Sequence, residues 1–379
     1  MLQMHHTDAD EKLLERSAVP RLRDSGLFDD VVLCVADVPE NDVLQRFADA
    51  WGVELWRGAE RDVARRIADL AAERGARSIA RALVWWFFVD LDLVARQLDL
   101  LESTDADWVD LPRDFDLRFG VDAFRPRFVE RIAAALSADP DLQARFGLAP
   151  WAFAEAHPEA FRVETCTAVP AFDEAAFEHT RERMRWLWPD RWDGAGAALV
   201  PYALACQRLR ASGPGARVLD VASGLGAGTA RMGGVAEAVG LDHDPETVEL
   251  ARSRYADRAR FECGDALAFD LPDAHFDVVT SIHTMEHVED DRAFLATLHR
   301  WTKPGGTLVL EVPFLLRGPF PDVGRPLSPD HVREYDADTL CARVGERFTI
   351  LETHGVARGT YVPLERARNA GLVLARRAA

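Results

Sequence analysis

Hydrophobic and polar positions follow two periods along this chain, and the switches between them mark out its elements. Val31-Val-Leu-Cys-Val-Ala36 is an apolar run that reads as a buried strand, while Val43, Leu44, Phe47 and Ala50 fall on one helix face between Asn41 and Trp51. The alternation continues with a strand over Val53–Trp56, a helix over Glu60–Arg74, a strand over Ser78–Val84 and a helix over Leu91–Leu101. Repeated β-α units of this kind imply a parallel sheet with helices on both faces. Between Arg113 and Trp192 the pattern loosens around Asp139-Pro, Ala149-Pro, His157-Pro and Val169-Pro, with helical spacing resuming from Phe172 to Arg185. A helix over Leu199–Leu209 then opens a second β-α series. Its strands are expected at Val218–Val221, Ala238–Asp242, Arg260–Cys263, Phe276–Ser281, Thr307–Val312, Phe348–Thr353 and Ala370–Ala375. The expected organisation is α/β in two domains, residues 1–180 and 198–379, joined by a linker over 181–197 that holds the tryptophan cluster Trp186, Trp188 and Trp192. The halves share architecture but no sequence period.

Composition changes this picture only at its edges. A chain of 379 residues, 48% hydrophobic and 28% charged, is long enough for two cores of ordinary size. Met1 to Lys12 is polar, and the most apolar run, Ala82–Val89, is too short to span a bilayer, so neither a signal peptide nor a membrane span is expected. Cys34, Cys166, Cys206, Cys263 and Cys341 are scattered without a close pair, which fits reduced thiols in a cytoplasm. A net charge of −18 argues against nucleic acid as a partner. Lys12 and Lys303 are the only lysines, so nearly all positive charge is arginine.

The chemistry concentrates where Val218-Leu-Asp-Val221 breaks into Gly224, Gly226 and Gly228. Glycines at such a strand-to-helix turn accept positive φ and let a ligand approach the backbone. A dinucleotide site would have its third glycine three places after the second, where Thr229 stands. Asp220 at the strand tip would also repel a pyrophosphate and favour a ligand of positive charge. The stretch Val218-Leu-Asp-Val-Ala-Ser-Gly-Leu-Gly226 resembles motif I of the class I S-adenosylmethionine (SAM)-dependent methyltransferases, with Ala222 in place of the usual first glycine. The later motifs follow in order. Asp242 ends the second strand, Gly264-Asp-Ala266 follows the third, Glu286-His287 follows the fourth and Lys303-Pro-Gly-Gly306 precedes the fifth. The resemblance spans about residues 198–377 and implies a seven-stranded sheet with helices on both faces and SAM as cofactor. It implies a cofactor site of Asp220, Ala222, Ser223, Gly224, Gly226, Asp242, His243, Asp265, Ala266 and Ser281, with Asp242 on the ribose hydroxyls and Asp265 with Ala266 on adenine. Asp244 before Pro245 reads as the next helix's cap, which leaves Asp242 for the ligand.

A second resemblance covers residues 13–135. Arg21 to Val32, Pro39-Glu-Asn-Asp-Val-Leu44 and Trp56 to Val63 resemble the sugar-nucleotide cytidylyltransferases, implying a Rossmann-like nucleotidyltransferase-type α/β domain. The glycine- and basic-rich loop of that family is not found ahead of Val31, and Trp85-Trp-Phe-Phe88 stands where the family has a metal-binding aspartate. Without a phosphate cradle and a metal carboxylate, this half is expected to be catalytically dead. Asp90 and Asp92 are the substitutes on hand.

Methyl transfer needs alignment, exclusion of water and, for a hydroxyl acceptor, removal of a proton. His287 is the first candidate base, with His283 and His331 as further candidates; His331 and Arg333 are candidates for contact with the acceptor or for catalysis, and a structural salt-bridge role for Arg333 weighs at least as much. A cap or supporting role for His287 weighs equally. His283 and His287 lie four apart, but the sequence shows no third ligand, so no metal is expected. The expected reaction is methylation of a hydroxyl or amine of a small molecule, with a sugar, sugar nucleotide or surface glycan suggested by the first domain. Homo-oligomers are left open. The alternatives are a bifunctional nucleotidyltransferase/methyltransferase and a SAM-binding scaffold without activity.

Overall fold

The computed structural model describes residues 17–84, 86, 88–113, 115–167, 175, 177–178, 180–181, 199–314, 326–358 and 360–378. Trp186, Trp188 and Trp192 lie outside the described residues, as does nearly all of the expected linker. By its internal contacts the chain forms two units. One is Met1–Ala176 with Arg317–Asp322 and Arg358–Thr360; the other is Phe177–Leu316, Val323–Ala357 and Tyr361–Ala379. Among the described residues no helix is long and apolar enough to cross a membrane.

In the first unit the expected β-α order is present, but the single parallel sheet is not. Strands β1 (Val32–Ala36) and β2 (Glu54–Gly58) form a parallel pair of their own. Strands β3 (Ile79–Arg81), β4 (Trp108–Asp110), β5 (Asp122–Phe124) and β6 (Val163–Thr165) form a mixed sheet in the order β3-β5-β4-β6. Strand β5 enters between β3 and β4 and runs antiparallel to both, while β4 and β6 are parallel. Buried Gln97 fixes that entry: its side chain donates to the Val121 carbonyl at 2.8 Å and accepts from the Val121 amide at 3.0 Å. Strands of three residues are too short to show an alternation, which is why β4, β5 and β6 escape a reading by period. Below them Phe124, Phe128, Trp151 and Phe161 pack ring to ring, with centroids 4.9–6.0 Å apart.

Among the described residues, the sheet of the second unit has eight strands where seven are expected. They are β7 (Arg217–Val221), β8 (Glu237–Asp242), β9 (Arg260–Cys263), β10 (Phe276–Ile282), β11 (Thr302–Pro313), β12 (Thr349–Ala357), β13 (Thr360–Val362) and β14 (Ala370–Arg376). The spatial order is β13-β12-β14-β11-β10-β7-β8-β9, and the additional strand is the three-residue β13 at one edge. Strands β7 to β11 are mutually parallel, and β14 pairs antiparallel with both β11 and β12.

Alternation along each strand divides the core in two. Leu219, Val221, Val279, Leu308, Leu310 and Val373 join Phe294, Leu298, Trp301, Leu340 and Val344 from the helices Asp291–Trp301 and Ala337–Gly345. Val218, Val278, Val309, Leu372 and Leu374 join Ala205, Leu209 and Met232 from Leu199–Ser212 and Ala227–Gly233. Helices thus cover both faces, as the periodicity requires. From β7 the chain proceeds outward through β8 and β9, then returns to the other side of β7 for β10 and β11. The reversal between β7 and β10 is the place where open parallel sheets bind ligands, outside the carboxyl ends of the strands.

Trp301 is fully buried at the end of its helix, and its indole N–H has no hydrogen-bond partner. Trp301→Ala should therefore cost about 3–5 kcal/mol in chemical denaturation, through lost contacts and a cavity. Trp301→Phe should cost far less, since no hydrogen bond is broken; comparable losses for the two variants would contradict this account of the core.

Candidate functional site

The turn after β7 leaves the sheet through left-handed backbone. Ala222, Gly224 and Gly226 have φ of 58°, 52° and 83°. Two amides lock the turn to the neighbouring strand, Ser223 N–H donating to the Leu241 carbonyl at 3.0 Å and Gly224 N–H to Asp242 Oδ2 at 2.8 Å. The glycines are required for different reasons. A Cβ at Gly226 would lie 2.6 Å from the Phe261 ring, and one at Gly228 would lie 2.0 Å from the Tyr202 ring. A Cβ at Gly224 would meet nothing within 4 Å, so this glycine faces open space at the sheet's carboxyl edge. Ala222 holds a conformation that costs an L-residue roughly 1–2 kcal/mol. Ser223 and Ser281, at the ends of β7 and β10, both carry buried hydroxyls without hydrogen-bond partners.

The three strand-end acids occupy different environments. Asp220 is fully buried, accepting from the hydroxyls of Thr280 at 2.6 Å, Thr229 at 2.7 Å and Tyr202 at 3.5 Å. Burial pushes its pKa up to about 6, and the charge of Asp242 adds to the rise, while the three hydroxyls work the other way. The phenol of Tyr202 is also pushed up, by burial first and by Asp220 next. Asp242 is buried at the tip of β8, where Oδ2 accepts from Gly224 and Oδ1 from the Asp244 amide at 3.1 Å. Asp244 caps Pro245–Tyr255, accepting from the Glu246 and Thr247 amides, as the sequence suggests. Asp265 is exposed, and its Oδ1 accepts from the Leu267 amide at 2.9 Å, so it is also a turn residue. Ala266 is half-buried beside the core, and the His243 side chain is 83% exposed. All of these residues stand at the carboxyl ends of β7, β8, β9 and β10. Asp220 differs from the reading of an open strand tip because Tyr202 and Thr229 cover it.

Across the reversal, a histidine and carboxylate cluster follows β10. His283 has φ of 52°, and its Nε2 lies 3.2 Å from Glu311 Oε1 on β11, while Tyr361 donates to Glu311 Oε2 at 3.2 Å. Burial lowers the His283 pKa, but Glu311 and then Glu286 outweigh it and leave the imidazole above its ordinary value. Glu286 is 1% exposed, and its Oε2 has no hydrogen-bond partner. His287 donates from Nδ1 to the Asp330 carbonyl at 2.8 Å, which leaves Nε2 with its lone pair, 3.7 Å from Glu286 Oε1. His331 is brought in by its loop: the Val332 and Arg333 amides donate to the Glu286 carbonyl at 2.9 and 3.3 Å. Its Nδ1 lies 2.9 Å from Glu334 Oε1, and its ring meets that of His287 edge to face at 5.0 Å. Arg333 donates to the Val288 and Glu289 carbonyls, so its guanidinium pins the loop. Ligand atoms of Glu286, His287 and His331 lie within 4.8 Å of one another. This supplies the third donor that the sequence does not show. The sequence does not single out Glu311 or Glu334 either; the only signal for Glu311 is an acid in the apolar run of β11.

A family model described as "Methyltransferase domain" matches residues 219–310. The chain is 33% identical over 175 residues to a protein of Mycolicibacterium smegmatis named "Probable S-adenosylmethionine-dependent methyltransferase", covering 46% of this chain and 67% of that protein. It is 36% identical over 132 residues to a ubiquinone biosynthesis O-methyltransferase of Xanthomonas campestris, covering 31% of this chain and 54% of that one. The chain therefore spans about two thirds of the first relative and about half of the second. Among solved structures, the N-methyltransferase NodS of Bradyrhizobium japonicum with S-adenosyl-L-homocysteine is 19% identical with a TM-score of 0.39, covering 53% of this chain and 99% of that one.

Asp220 also gives a pH signature. Its folded pKa of about 6 lies above the unfolded value of about 3.9, so ionising it in the fold costs roughly 3 kcal/mol. That cost is present in full above the folded pKa and disappears as pH falls below the unfolded one. Asp220→Asn should thus be more stable than the wild type by about 1–3 kcal/mol near pH 8, with the gap closing between about pH 6 and 4. Urea unfolding across that range measures it, and a gap independent of pH would contradict the assignment.

Proposed function

The chain belongs to the S-adenosylmethionine-dependent methyltransferases, and on that premise we propose that it methylates a hydroxyl of a small polar acceptor, a sugar or sugar nucleotide. Gly224 is the observation that carries the cofactor assignment. Its left-handed backbone faces open space and its amide is held by buried Asp242, while Ser223 and Ser281, at the ends of β7 and β10, carry unpartnered hydroxyls. An open glycine beside acids and orphaned hydroxyls suits an uncharged ribose and a cationic tail better than a pyrophosphate.

SAM, when bound, supplies a methyl group already activated by a sulfonium. Asp242, fixed by its two backbone donors, accepts from the ribose hydroxyls through its remaining lone pairs. Asp265 has Oδ2 left for the adenine amino group, and the Ala266 amide donates to the ring. Asp220 acts through its field, as an enclosed negative charge below the turn that favours a cation above it. Activation of the acceptor hydroxyl falls to His287 and His331, whose rings are oriented by Asp330 and Glu334 with Nε2 left open.

The sugar acceptor is suggested by the N-terminal segments that resemble cytidylyltransferases. That unit, on this reading, serves binding without nucleotidyl transfer. Asp90, nearest the place of the missing metal aspartate, spends Oδ1 on the Leu93 amide as a helix cap. The setting proposed is the cytoplasm.

Calorimetry with SAM, NAD and CTP in parallel tests this reading. Heat is expected from SAM alone, and Asp242→Asn should weaken it at least about tenfold through lost charged hydrogen bonds. With a sugar acceptor that turns over, His287→Ala should lower kcat by about 10²–10⁴-fold while SAM affinity holds. Binding of NAD in preference to SAM, or SAM binding without methyl incorporation into any hydroxyl acceptor, would refute it.

A further inference from the structure

We propose that Glu286, His287 and His331 form a site for one divalent first-row transition ion, which binds the acceptor hydroxyl. The donor set is two imidazole nitrogens and one carboxylate, a combination suited to zinc, iron(II), cobalt(II) or manganese(II). Three observations point to a cation. The ligand atoms lie within 4.8 Å of one another, and metal bonds of about 2.1 Å place such atoms roughly 3–4.2 Å apart, so small side-chain rotations close the site. Glu286 is buried to 1% exposure; His283 Nδ1 lies 3.8 Å from its Oε1, but Oε2 lacks any hydrogen bond, an arrangement costly for a carboxylate unless a cation meets that oxygen. Both rings are held through Nδ1, that of His287 by the Asp330 carbonyl and that of His331 by Glu334. Orientation of ligating histidines by a carbonyl or carboxylate behind them is the usual support of a metal site. The loop carrying His331 is tied to the Glu286 carbonyl by two amides, so the third ligand is positioned by backbone.

Three protein ligands leave coordination positions open for an oxygen of the acceptor. This deepens the methyl-transfer reading and rests on it. With the remaining nitrogen of each ring on the ion, activation by His287 and His331 passes through the metal: a hydroxyl bound to it loses its proton to water more readily. The oxygen's electron pair then forms the bond to the methyl carbon as the carbon–sulfur bond breaks. That bond's pair stays on sulfur, so the sulfonium becomes the neutral thioether of S-adenosylhomocysteine, and the products are a methyl ether and one proton.

Titration of the full chain with Co²⁺, followed by its visible absorption bands, tests the site, in a His5→Ala, His6→Ala background that removes the adjacent histidine pair. One Co²⁺ per chain is expected. Glu286→Gln and His331→Gln should each weaken it by at least about 100-fold, and Glu334→Gln by about tenfold. SAM affinity of each variant, measured alongside, reports that the fold is intact. Absence of a Co²⁺ spectrum from a chain that binds SAM, or unchanged Co²⁺ affinity in Glu286→Gln and His331→Gln, would overturn the metal site and leave the methyltransferase reading standing. Co²⁺ binding by a chain that binds no SAM would support the site and overturn that reading instead.

Discussion

The turn from Ala222 to Gly226 can leave β7 only through left-handed backbone, and the arrangement of the carboxyl edge follows from that constraint. Gly226 sits against the Phe261 ring and Gly228 against Tyr202, so β9 and the helix Leu199–Ser212 both close upon the turn. Its amides are taken by β8, at the Leu241 carbonyl and the Asp242 carboxylate. What remains uncovered is the place above Gly224. The backbone demands and the site are thus the same feature seen from below and from above. Ala222 shows that the conformation is imposed by its surroundings, since the residue itself disfavours it.

On the far side of the reversal the organising element is a loop docked on a turn. The Glu286 carbonyl receives the Val332 and Arg333 amides, and the Arg333 guanidinium reaches the Val288 and Glu289 carbonyls. His331 is carried to His287 by these bonds. The left-handed His283 at the end of β10 lies on the same edge, with Glu311 and Tyr361 behind it. Two clusters therefore flank the reversal between β7 and β10. One presents open backbone, hydroxyls and acids; the other presents imidazoles and a buried carboxylate. Transfer of a group between two bound molecules requires two such faces.

Much of this was legible in the residues because it is local. Val218–Val221, Ala238–Asp242 and Phe276–Ser281 reveal their strands by apolar runs, and Asp244-Pro245 reveals a helix start by capping chemistry. The order of glycines and acids identified the carboxyl edge. What escaped depends on distant segments. No local period could show that Tyr202 and Thr229 would enclose Asp220, because each belongs to a separate helix. Nor could spacing bring His331 beside His287, since the link is backbone hydrogen bonding across the β11 crossover. In the first unit, β4, β5 and β6 were too brief to register, and β5 turned an expected parallel sheet into a mixed one.

The central claim is that SAM lies across the tips of β7, β8 and β9, over Gly224 and between Asp242 and Asp265. A crystal structure of the chain with S-adenosylhomocysteine tests it most directly. The account requires ligand density directly above the Gly224 backbone, ribose at Asp242 and adenine beside Asp265 and Ala266. Density elsewhere on the molecule, or an empty edge in crystals saturated with the compound, would contradict it.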